Sequence, residues 1–265
     1  MISKGEVPEG YKETKVGIIP EDWEVKKLGG IAEIIDGDRG KNYPNQKDLV
    51  DDGVLFLSTK NIVNSSFDFT DNRYITKEKF SILRKGKLQQ NDLVITMRGS
   101  IGNVALFRNK QYKTAFINAQ MAIIRPLNIL SDFLWLFLNT DVVQRRIDIM
   151  SSGSAQPQLT KKVVKELYIA KSSYKEQQKI AQILSTWDQA IELKEKLIEE
   201  KKEQKKGLMQ KLLTGEVRLP GFNGEWEEVR LGEVIFFPQK EALLNPQDYY
   251  LLTVKLHLNG IEATD

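Results

Sequence analysis

One helical segment constrains this chain more than any other feature of its sequence. From Ser173 to about Leu213, apolar residues keep the spacing of a single amphipathic helix, and paired apolar positions recur every seven residues. At about 1.5 Å of rise per residue such a helix is about 60 Å long, and a compact domain cannot cover an apolar stripe of that length. The segment therefore predicts a coiled-coil-type helix that needs a partner helix.

The two ends of this helix carry their own signals. Ser173 and Glu176 fit a capping box, in which each side chain accepts a hydrogen bond from a backbone N–H of the first turn. Gly215 is placed to end the helix. The apolar residues between these ends form the predicted helix-pairing surface, which comprises Ile180, Ile183, Leu184, Trp187, Ile191, Ile198, Leu208 and Leu212.

The residues that follow the helix repeat the beginning of the chain. Trp226–Glu227 followed by Leu231–Gly232 has the spacing of Trp23–Glu24 followed by Leu28–Gly29. The repeat predicts a domain, then the long helix, then the start of a second copy of the domain that stops early.

The domain before the helix is predicted to be α+β and rich in short strands. Leu93–Arg98 and Val104–Arg108 are β-prone runs separated by a loop with two glycines, which predicts a hairpin. Its first strand places Leu93, Ile95 and Met97 on one face.

Two further elements are expected before the long helix. Ser131 is a plausible N-cap for a helix that runs from about 132 to 149. The polar loop 151–158 then leads to a short element over 163–169.

Composition excludes several classes of function. With no cysteine and the single histidine His257, the chain has no thiolate metal site, no cysteine nucleophile and little material for a histidine-dependent triad. It lacks a Gly-x4-Gly-Lys-Ser/Thr phosphate loop and the Asn/Asp-Pro-Pro-Tyr/Phe tetrapeptide of amino-methyltransferases, and Gly37–Gly40 has too few glycines for a dinucleotide loop. We therefore expect a chain that is not an enzyme by itself and uses no metal or cofactor.

No run in the sequence approaches the roughly 18 apolar residues of a membrane span. The N-terminal residues also lack the apolar core of a signal peptide. We therefore expect a cytoplasmic protein with no membrane partner.

Polar loops in the first domain point to nucleic acid. The net charge of +3 is compatible with a polyanion but is weak support on its own. Asn and Gln pair with adenine, Arg and Lys pair with guanine, and cations in the same loops hold phosphates. The candidate DNA-binding residues are Lys60, Asn61, Arg98, Ser100, Asn103, Gln120 and Gln156. The alternative is that these loops are ordinary turns whose Asn and Gln side chains cap backbone groups.

An ordered set of motifs resembles the specificity (S) subunit of Type I DNA restriction-modification systems. The matching stretches are IPEDWEVKKLGGIAEIIDG (19–37), FLSTKNI (56–62), NDLVITMRGSIGNVAL (91–106), SGSAQPQLT (152–160), EQQKIAQILSTWDQAI (176–191), LMQKLLTGEVRLPGF (208–222) and GEWEEVRLGEV (224–234). Two departures are Asn91, where the family often has Gly, and the absence of a proline before the Glu-Gln motif.

The resemblance implies a division of labour between chains. Members have two target-recognition domains, each followed by a long helix; the helices pack antiparallel and also dock adenine-methyltransferase (M) subunits, and a restriction/translocase (R) subunit completes the assembly. Applied to this sequence, it implies a DNA-binding target-recognition domain over 1–170, a helix for pairing and subunit docking over 171–215, and a truncated second domain over 216–265. The expected partners are double-stranded DNA and the M and R subunits.

Full members are about twice as long as this chain, which leaves alternatives open. The chain can be a natural half-subunit, a product of frameshift or recombination, or a fragment. As a half-subunit, it is expected to pair through its helix with a second copy of itself or another S fragment. A rival hypothesis makes it a scaffold that recruits the methyltransferase subunit without useful DNA recognition, and a more distant one makes it a nuclease with an unfamiliar site.

Overall fold

The computed structural model of the chain describes residues 7–151, 158–235, 251–254 and 261–264. The chain divides into two compact units, residues 1–195 and 196–265, with the boundary inside the long helix.

The α+β fold is confirmed. In the first unit the strands are β1 (Tyr11–Thr14), β2 (Gly17–Pro20), β3 (Glu24–Lys27), β4 (Ala32–Asp36), β5 (Leu49–Val50), β6 (Val54–Leu57), β7 (Ile62–Val63), β8 (Ser66–Phe67), β9 (Tyr74–Ile75), β10 (Lys87–Leu88), β11 (Leu93–Thr96), β12 (Val104–Leu106), β13 (Ala115–Ile117), β14 (Met121–Pro126) and β15 (Tyr168–Lys171). The helices that start in this unit are α1 (Lys77–Ile82), α2 (Ser131–Leu138), α3 (Asp141–Ser151), α4 (Lys161–Lys165) and α5 (Tyr174–Leu213).

Two sheets form the centre of the first unit. The four-stranded sheet has the antiparallel order β12-β11-β14-β4, and the five-stranded sheet has the order β10-β13-β6-β9-β5, in which β13 and β6 run parallel. One apolar cluster joins the two sheets, and another joins the four-stranded sheet to α2, α3 and α4. Helix α1 covers the other side of the five-stranded sheet through Phe80, beside the buried Phe116.

Strand β11 lies at the middle of these layers and is buried along its whole length. Leu93 and Ile95 belong to the cluster with the helices, whereas Val94 belongs to the cluster between the sheets. The predicted hairpin is confirmed, since Leu93 pairs with Leu106 and Ile95 with Val104. Met97 joins Leu93 and Ile95 in the same cluster, as the alternation predicts.

The single helix expected over 132–149 is wrong, because two helices occupy that stretch. Helix α2 ends at Leu138 and is capped by Asn139, whose side-chain amide donates to the carbonyl of Trp135 at 2.9 Å. The break lets both helices face one core, where Leu138 and Ile147 are buried together. Ser131 is also not the N-cap; that position belongs to Leu130, which has no capping side chain.

The long helix α5 is confirmed, but only half of its predicted capping box forms. The Ser173 hydroxyl accepts from the backbone N–H of Glu176 at 3.3 Å. The Glu176 carboxylate instead accepts from the indole N–H of Trp23, at 3.1 Å from each oxygen. Gln177, which is buried, accepts from the backbone N–H of Leu130 at 2.9 Å and donates to the carbonyl of Ser172 at 2.8 Å. The helix therefore leaves the first unit from an anchored first turn.

The second unit contains the rest of α5, the short helix α6 (Leu231–Val234) and the hairpin of β16 (Leu251–Val254) and β17 (Ile261–Thr264). Gly215 adopts φ of 76°, the left-handed conformation of a residue just past a helix end, as predicted. A Cβ there would also lie 2.6 Å from the indole nitrogen of Trp226, so a larger residue would require this side chain to move.

Candidate nucleic-acid interface

The carboxyl ends of four strands meet at one edge of the two sheets. In the four-stranded sheet, the ends of β4 and β11 flank the start of β14, since Asp36 pairs with Ala122 and Thr96 with Met121. In the other sheet, the parallel pair β6 and β13 end together at Leu57 and Ile117. The loops after these strands therefore gather at one edge, although they are far apart in the sequence.

The short segment 118–120 links the two sheets at this edge. The backbone N–H of Asn118 donates to the carbonyl of Leu57 at 2.9 Å. The backbone N–H of Met97 donates to the carbonyl of Gln120 at 2.7 Å. The loops that follow β6, β11 and β13 are thus held together by main-chain hydrogen bonds.

Two glycines allow further loops to approach closely. A Cβ on Gly37 would lie 2.5 Å from the carbonyl oxygen of Asn118. Gly86 has φ of 76°, and a Cβ there would lie 3.1 Å from the Cα of Gly37. Larger side chains at either position would separate the loops after β4 and β13 from the turn before β10.

A cleft of about 610 Å³ opens between these loops. Its described lining carries five cationic and two anionic side chains, so positive charge dominates. The charged residues are Arg39, Arg84, Lys85, Arg98, Lys161, Asp36 and Asp38.

The Asp38 carboxylate organises the cleft. It accepts from the backbone N–H of Gly40 at 2.9 Å and from that of Arg84 at 3.0 Å, which ties two of the lining loops together. These hydrogen bonds, with that of Gly40 contributing most, hold the pKa of Asp38 below its ordinary value of 3.8. Asp38 therefore stays ionised while it positions the cations on either side.

The arginines of the cleft are held in place but keep donors for a ligand. Arg39 donates to the carbonyl of Ala119 at 2.9 Å, and Arg98 donates to the side-chain oxygen of Gln158 at 3.1 Å. Because a guanidinium carries five N–H donors, each keeps further donors that can face an anion. Such positioned, exposed guanidiniums suit the oxygens of phosphates or the acceptor edge of guanine.

The structure distributes the seven candidate DNA-binding residues unevenly. Arg98 lines the cleft, and Gln120 and Lys60 are exposed in loops of the same edge. Ser100 is exposed at the hairpin tip. Asn103 is half-buried, and its side-chain amide donates to the backbone carbonyl of Ser100. The seventh candidate, Gln156, lies outside the described residues.

Asn61 has a different environment from the other candidates. It is buried, and its side-chain oxygen accepts from the backbone N–H and the hydroxyl of Ser58. Its amide donates to the carbonyls of Asp68 and Asp71 at 3.2 and 3.1 Å. These bonds shape the loop after β6, so Asn61 supports the exposed Lys60 beside it.

Sequence reasoning missed four of the five cations in the cleft, namely Arg39, Arg84, Lys85 and Lys161. The segment Gly37–Gly40 suggested only a dinucleotide loop, which its glycine count excludes. The available signal was the direct succession of basic residues and glycine in Arg39–Gly40 and in Lys85–Gly86.

Most of the predicted helix-pairing residues are exposed along α5. Ile183, Leu184, Trp187, Ile191, Ile198 and Leu208 are exposed, and Leu212 is half-exposed. Ile180 differs, because it packs partly against the core cluster of the first unit, next to the buried Ala181. The exposed stripe thus begins one turn later than the sequence suggested.

Among the described residues, no group of three or more His, Asp and Glu side chains is placed to hold a metal ion. The same part of the chain has no helix that is both long enough and apolar enough to cross a membrane.

Comparisons with known proteins agree on one family. The sequence model described as "Type I restriction modification DNA specificity domain" matches residues 20–202. The Type I restriction enzyme MjaIX specificity subunit of Methanocaldococcus jannaschii is 30% identical over 189 residues, which cover 70% of this chain and 42% of that protein. The putative MjaX specificity subunit of the same organism is 30% identical over 244 residues, covering 86% of this chain and 56% of the relative. This chain thus spans about half the length of the curated relatives that it matches.

Solved structures support the fold. A chain from a study of complex assembly and conformational transition of the type I R-M system matches with a TM-score of 0.55 at 18% identity, covering 72% of this chain and 45% of that chain. The HsdS subunit from Thermoanaerobacter tengcongensis matches with a TM-score of 0.51 at 17% identity, covering 70% of this chain and 42% of that chain.

Proposed function

Since the chain belongs to the family of Type I restriction modification DNA specificity domains, we propose that it is a specificity subunit that binds duplex DNA and selects the sequence at which partner subunits act. The partner M subunits methylate adenine and the R subunit cleaves, while this chain contributes recognition and no catalytic group. The first domain, over 1–170, reads the DNA, and the helix over 171–215 docks the partners.

The observation that carries this proposal is the basic cleft at the strand-end edge. Phosphates are held by Arg and Lys, and base edges are read by the same side chains and by Asn and Gln in the major groove. The cleft holds five cations, and other loops of the same strand-end edge carry the exposed Gln120 and Lys60. This arrangement supplies both kinds of contact from one surface.

The exposed stripe of α5 supports a second part of the proposal. Trp187 is 67% exposed and Ile191 54% exposed, on a helix whose first turn is anchored to the domain. Exposed apolar surface of this extent favours burial against a partner. We assign the stripe to a second copy of the chain or another S fragment, with the methyltransferase subunit docking on the same helix.

A binding experiment tests the role of the cleft. The paired substitution Arg39→Ala and Arg98→Ala should weaken binding to duplex DNA and reduce the slope of log affinity against log salt by about one for each phosphate that is no longer neutralised. Arg145→Ala is the matched control, because Arg145 is an exposed arginine of α3 that does not line the cleft. Equal affinities and salt slopes for the wild type, the paired variant and the Arg145→Ala control would contradict the proposal.

A methylome tests the whole function. The chain is co-expressed with a Type I methyltransferase subunit in a methylation-free host, and N6-methyladenine is mapped by single-molecule sequencing. A bipartite palindromic motif would support a symmetric pair of copies. An asymmetric motif would mean that a different recognition domain was supplied by another chain. No motif, with the two proteins still co-purifying, would favour the scaffold hypothesis.

A further inference from the structure

A tight hairpin follows the loop that carries Lys60. Strands β7 and β8 pair with Ile62 opposite Phe67, and the two residues between them, Asn64 and Ser65, have φ of 48° and 60°. Two successive left-handed residues in a two-residue turn are the signature of a type I′ hairpin. The hairpin therefore holds Ser65 in a fixed place relative to the loop after β6.

The tip of this hairpin is bonded to helix α2. The indole N–H of Trp135 donates to the carbonyl of Ser65 at 3.1 Å. The Ser65 hydroxyl donates to the side-chain oxygen of Asn139 at 2.7 Å. All three groups are partly buried, so water competes weakly for these bonds.

Helix α2 and its C-cap residue Asn139 are also hydrogen bonded to the loop that follows β11, residues 97–103. Trp135 and the Asn139 amide both donate to the carbonyl of Val104, at 3.2 and 3.3 Å, where the loop after β11 ends. From helix α3, the Gln144 amide donates to the carbonyl of Gly102 at 3.3 Å. Helix α3 lies close to this loop, because a Cβ on Gly102 would lie 2.8 Å from the side chain of Ile147.

We infer that Ser65, Trp135, Asn139 and Gln144 form a brace that sets the spacing between the Lys60 loop and the 97–103 loop, and thereby how strictly the DNA sequence is read. Asn139 is the central member, because its oxygen holds one loop while its nitrogen holds the other. The four are positioning residues, which act through the loops. The inference rests on the proposed function, since it concerns the accuracy of the same recognition edge.

The brace predicts a specific change in accuracy. Contacts to bases depend on the placement of side chains to within a few tenths of an ångström, whereas phosphate contacts tolerate movement. Ser65→Ala removes the hydroxyl that joins the hairpin to Asn139 and leaves every cation of the cleft in place. We expect relative methylation at sites that differ from the target by one base pair to rise roughly fivefold, the effect on an equilibrium of removing one ordinary hydrogen bond.

The experiment compares methylomes of the chain co-expressed with the methyltransferase subunit. The variants are Ser65→Ala and Gln144→Ala, which release different loops, and the matched control is Ser66→Ala, the exposed neighbour in the same hairpin. Each purified chain is also tested for the salt dependence of binding to duplex DNA, which should be unchanged because every phosphate-binding cation is retained. A general loss of folding would instead lower methylation at all sites together.

The outcomes separate the two proposals. The brace is supported if the wild-type chain directs a motif, if Ser65→Ala or Gln144→Ala relaxes that motif, and if Ser66→Ala preserves it. A wild-type motif that both brace variants leave unchanged, or that they only weaken at all sites in proportion, would overturn the inference while the proposed function stands. A wild-type chain that directs no motif would overturn the proposed function and the inference with it.

Discussion

The indole N–H of Trp23 and the carboxylate of Glu176 are hydrogen bonded at 3.1 Å, although 153 residues separate them in the chain. Trp23 also packs edge-to-face against Phe133, with ring centroids 6.1 Å apart. Together with Gln177, this bond fixes the first turn of the long helix to the first domain. Side-chain hydrogen bonds therefore hold a junction whose residues 170–174 include no proline.

Gln177 is expected to be essential for the anchoring of the helix. Gln177→Ala leaves the partly buried N–H of Leu130 and the carbonyl of Ser172 without their partner, which should lower the free energy of unfolding by about 2 kcal/mol. Gln178→Ala is the control, because Gln178 is exposed in the same turn and should change stability by less than about 0.5 kcal/mol. Urea unfolding followed by circular dichroism measures both, and equal effects would contradict the anchoring role.

Gly37 is expected to tolerate no side chain. Gly37→Ala places a Cβ 2.5 Å from a backbone carbonyl, so the loops of the cleft must separate, at a cost of about 1–3 kcal/mol in stability. DNA affinity should fall with it. Gly30→Ala introduces the same methyl group where no atom lies within 4 Å and should behave as wild type. Thermal unfolding and fluorescence anisotropy with duplex DNA provide the two readouts.

Asp38 should make part of the stability depend on pH. Its pKa is lower in the folded chain than its ordinary value of 3.8, because the backbone N–H groups of Gly40 and Arg84 bond to the ionised form. The stabilisation is therefore complete above about pH 5 and is lost as the pH falls through the pKa of the folded state. The stability difference between wild type and Asp38→Asn should shrink below about pH 4.

Unfolding by urea at pH 7, 4 and 3 measures that difference. Asp51→Asn, in an exposed turn, reports the effect of removing a surface charge. If the difference in unfolding free energy between wild type and Asp38→Asn grew as the pH fell, the stabilising role of the ionised Asp38 carboxylate would be contradicted.

The exposed stripe of α5 should drive association. Ile191→Glu puts a charge at a 54% exposed apolar position that pairing would bury, so it should weaken self-association by at least about tenfold. Gln189→Glu adds the same group on the opposite side of the helix, by the 100° rotation per residue, and should have little effect. Light scattering over a micromolar concentration series measures both, and a strictly monomeric wild type would contradict the pairing.

Local patterns were predictable from the sequence, and long-range partners were not. The spacing of apolar residues predicted α5, and two β-prone runs around a short loop predicted the hairpin of β11 and β12. Both predictions succeeded because each depends on residues that are close together in the sequence. The true partner of Glu176 was missed because Trp23 is distant in the chain. Asn61 was a DNA-binding candidate because of its residue type and its position after a strand, and nothing local indicates that carbonyls converge on its amide.

The internal repeat shows the same limit. Leu28 and Leu231 each open a single helical turn, and the residues before them have nearly the same backbone angles, φ of −75° and −73°. Leu28 is fully buried whereas Leu231 is 66% exposed. A similar local sequence thus gives a similar local backbone, whereas burial depends on long-range packing that the local sequence does not contain.

The cleft was the least predictable part of the site. Its cations come from three separate loops and from the first residue of α4, and pairing between distant strands brings Arg39, Arg84 and Arg98 to one edge. Register depends on pairing between strands that lie far apart in the chain, which single-sequence periodicity does not contain.

The burial of β11 on both faces has a consequence for how such a chain can change over generations. Its alternate residues belong to two different cores, so inserting or deleting one residue would send each side chain into the wrong core at once. Changes of length are therefore tolerable only where the strands end. The edge that carries the basic cleft is that place, so the surface that we propose binds DNA is also the part of the domain with the greatest freedom to diverge.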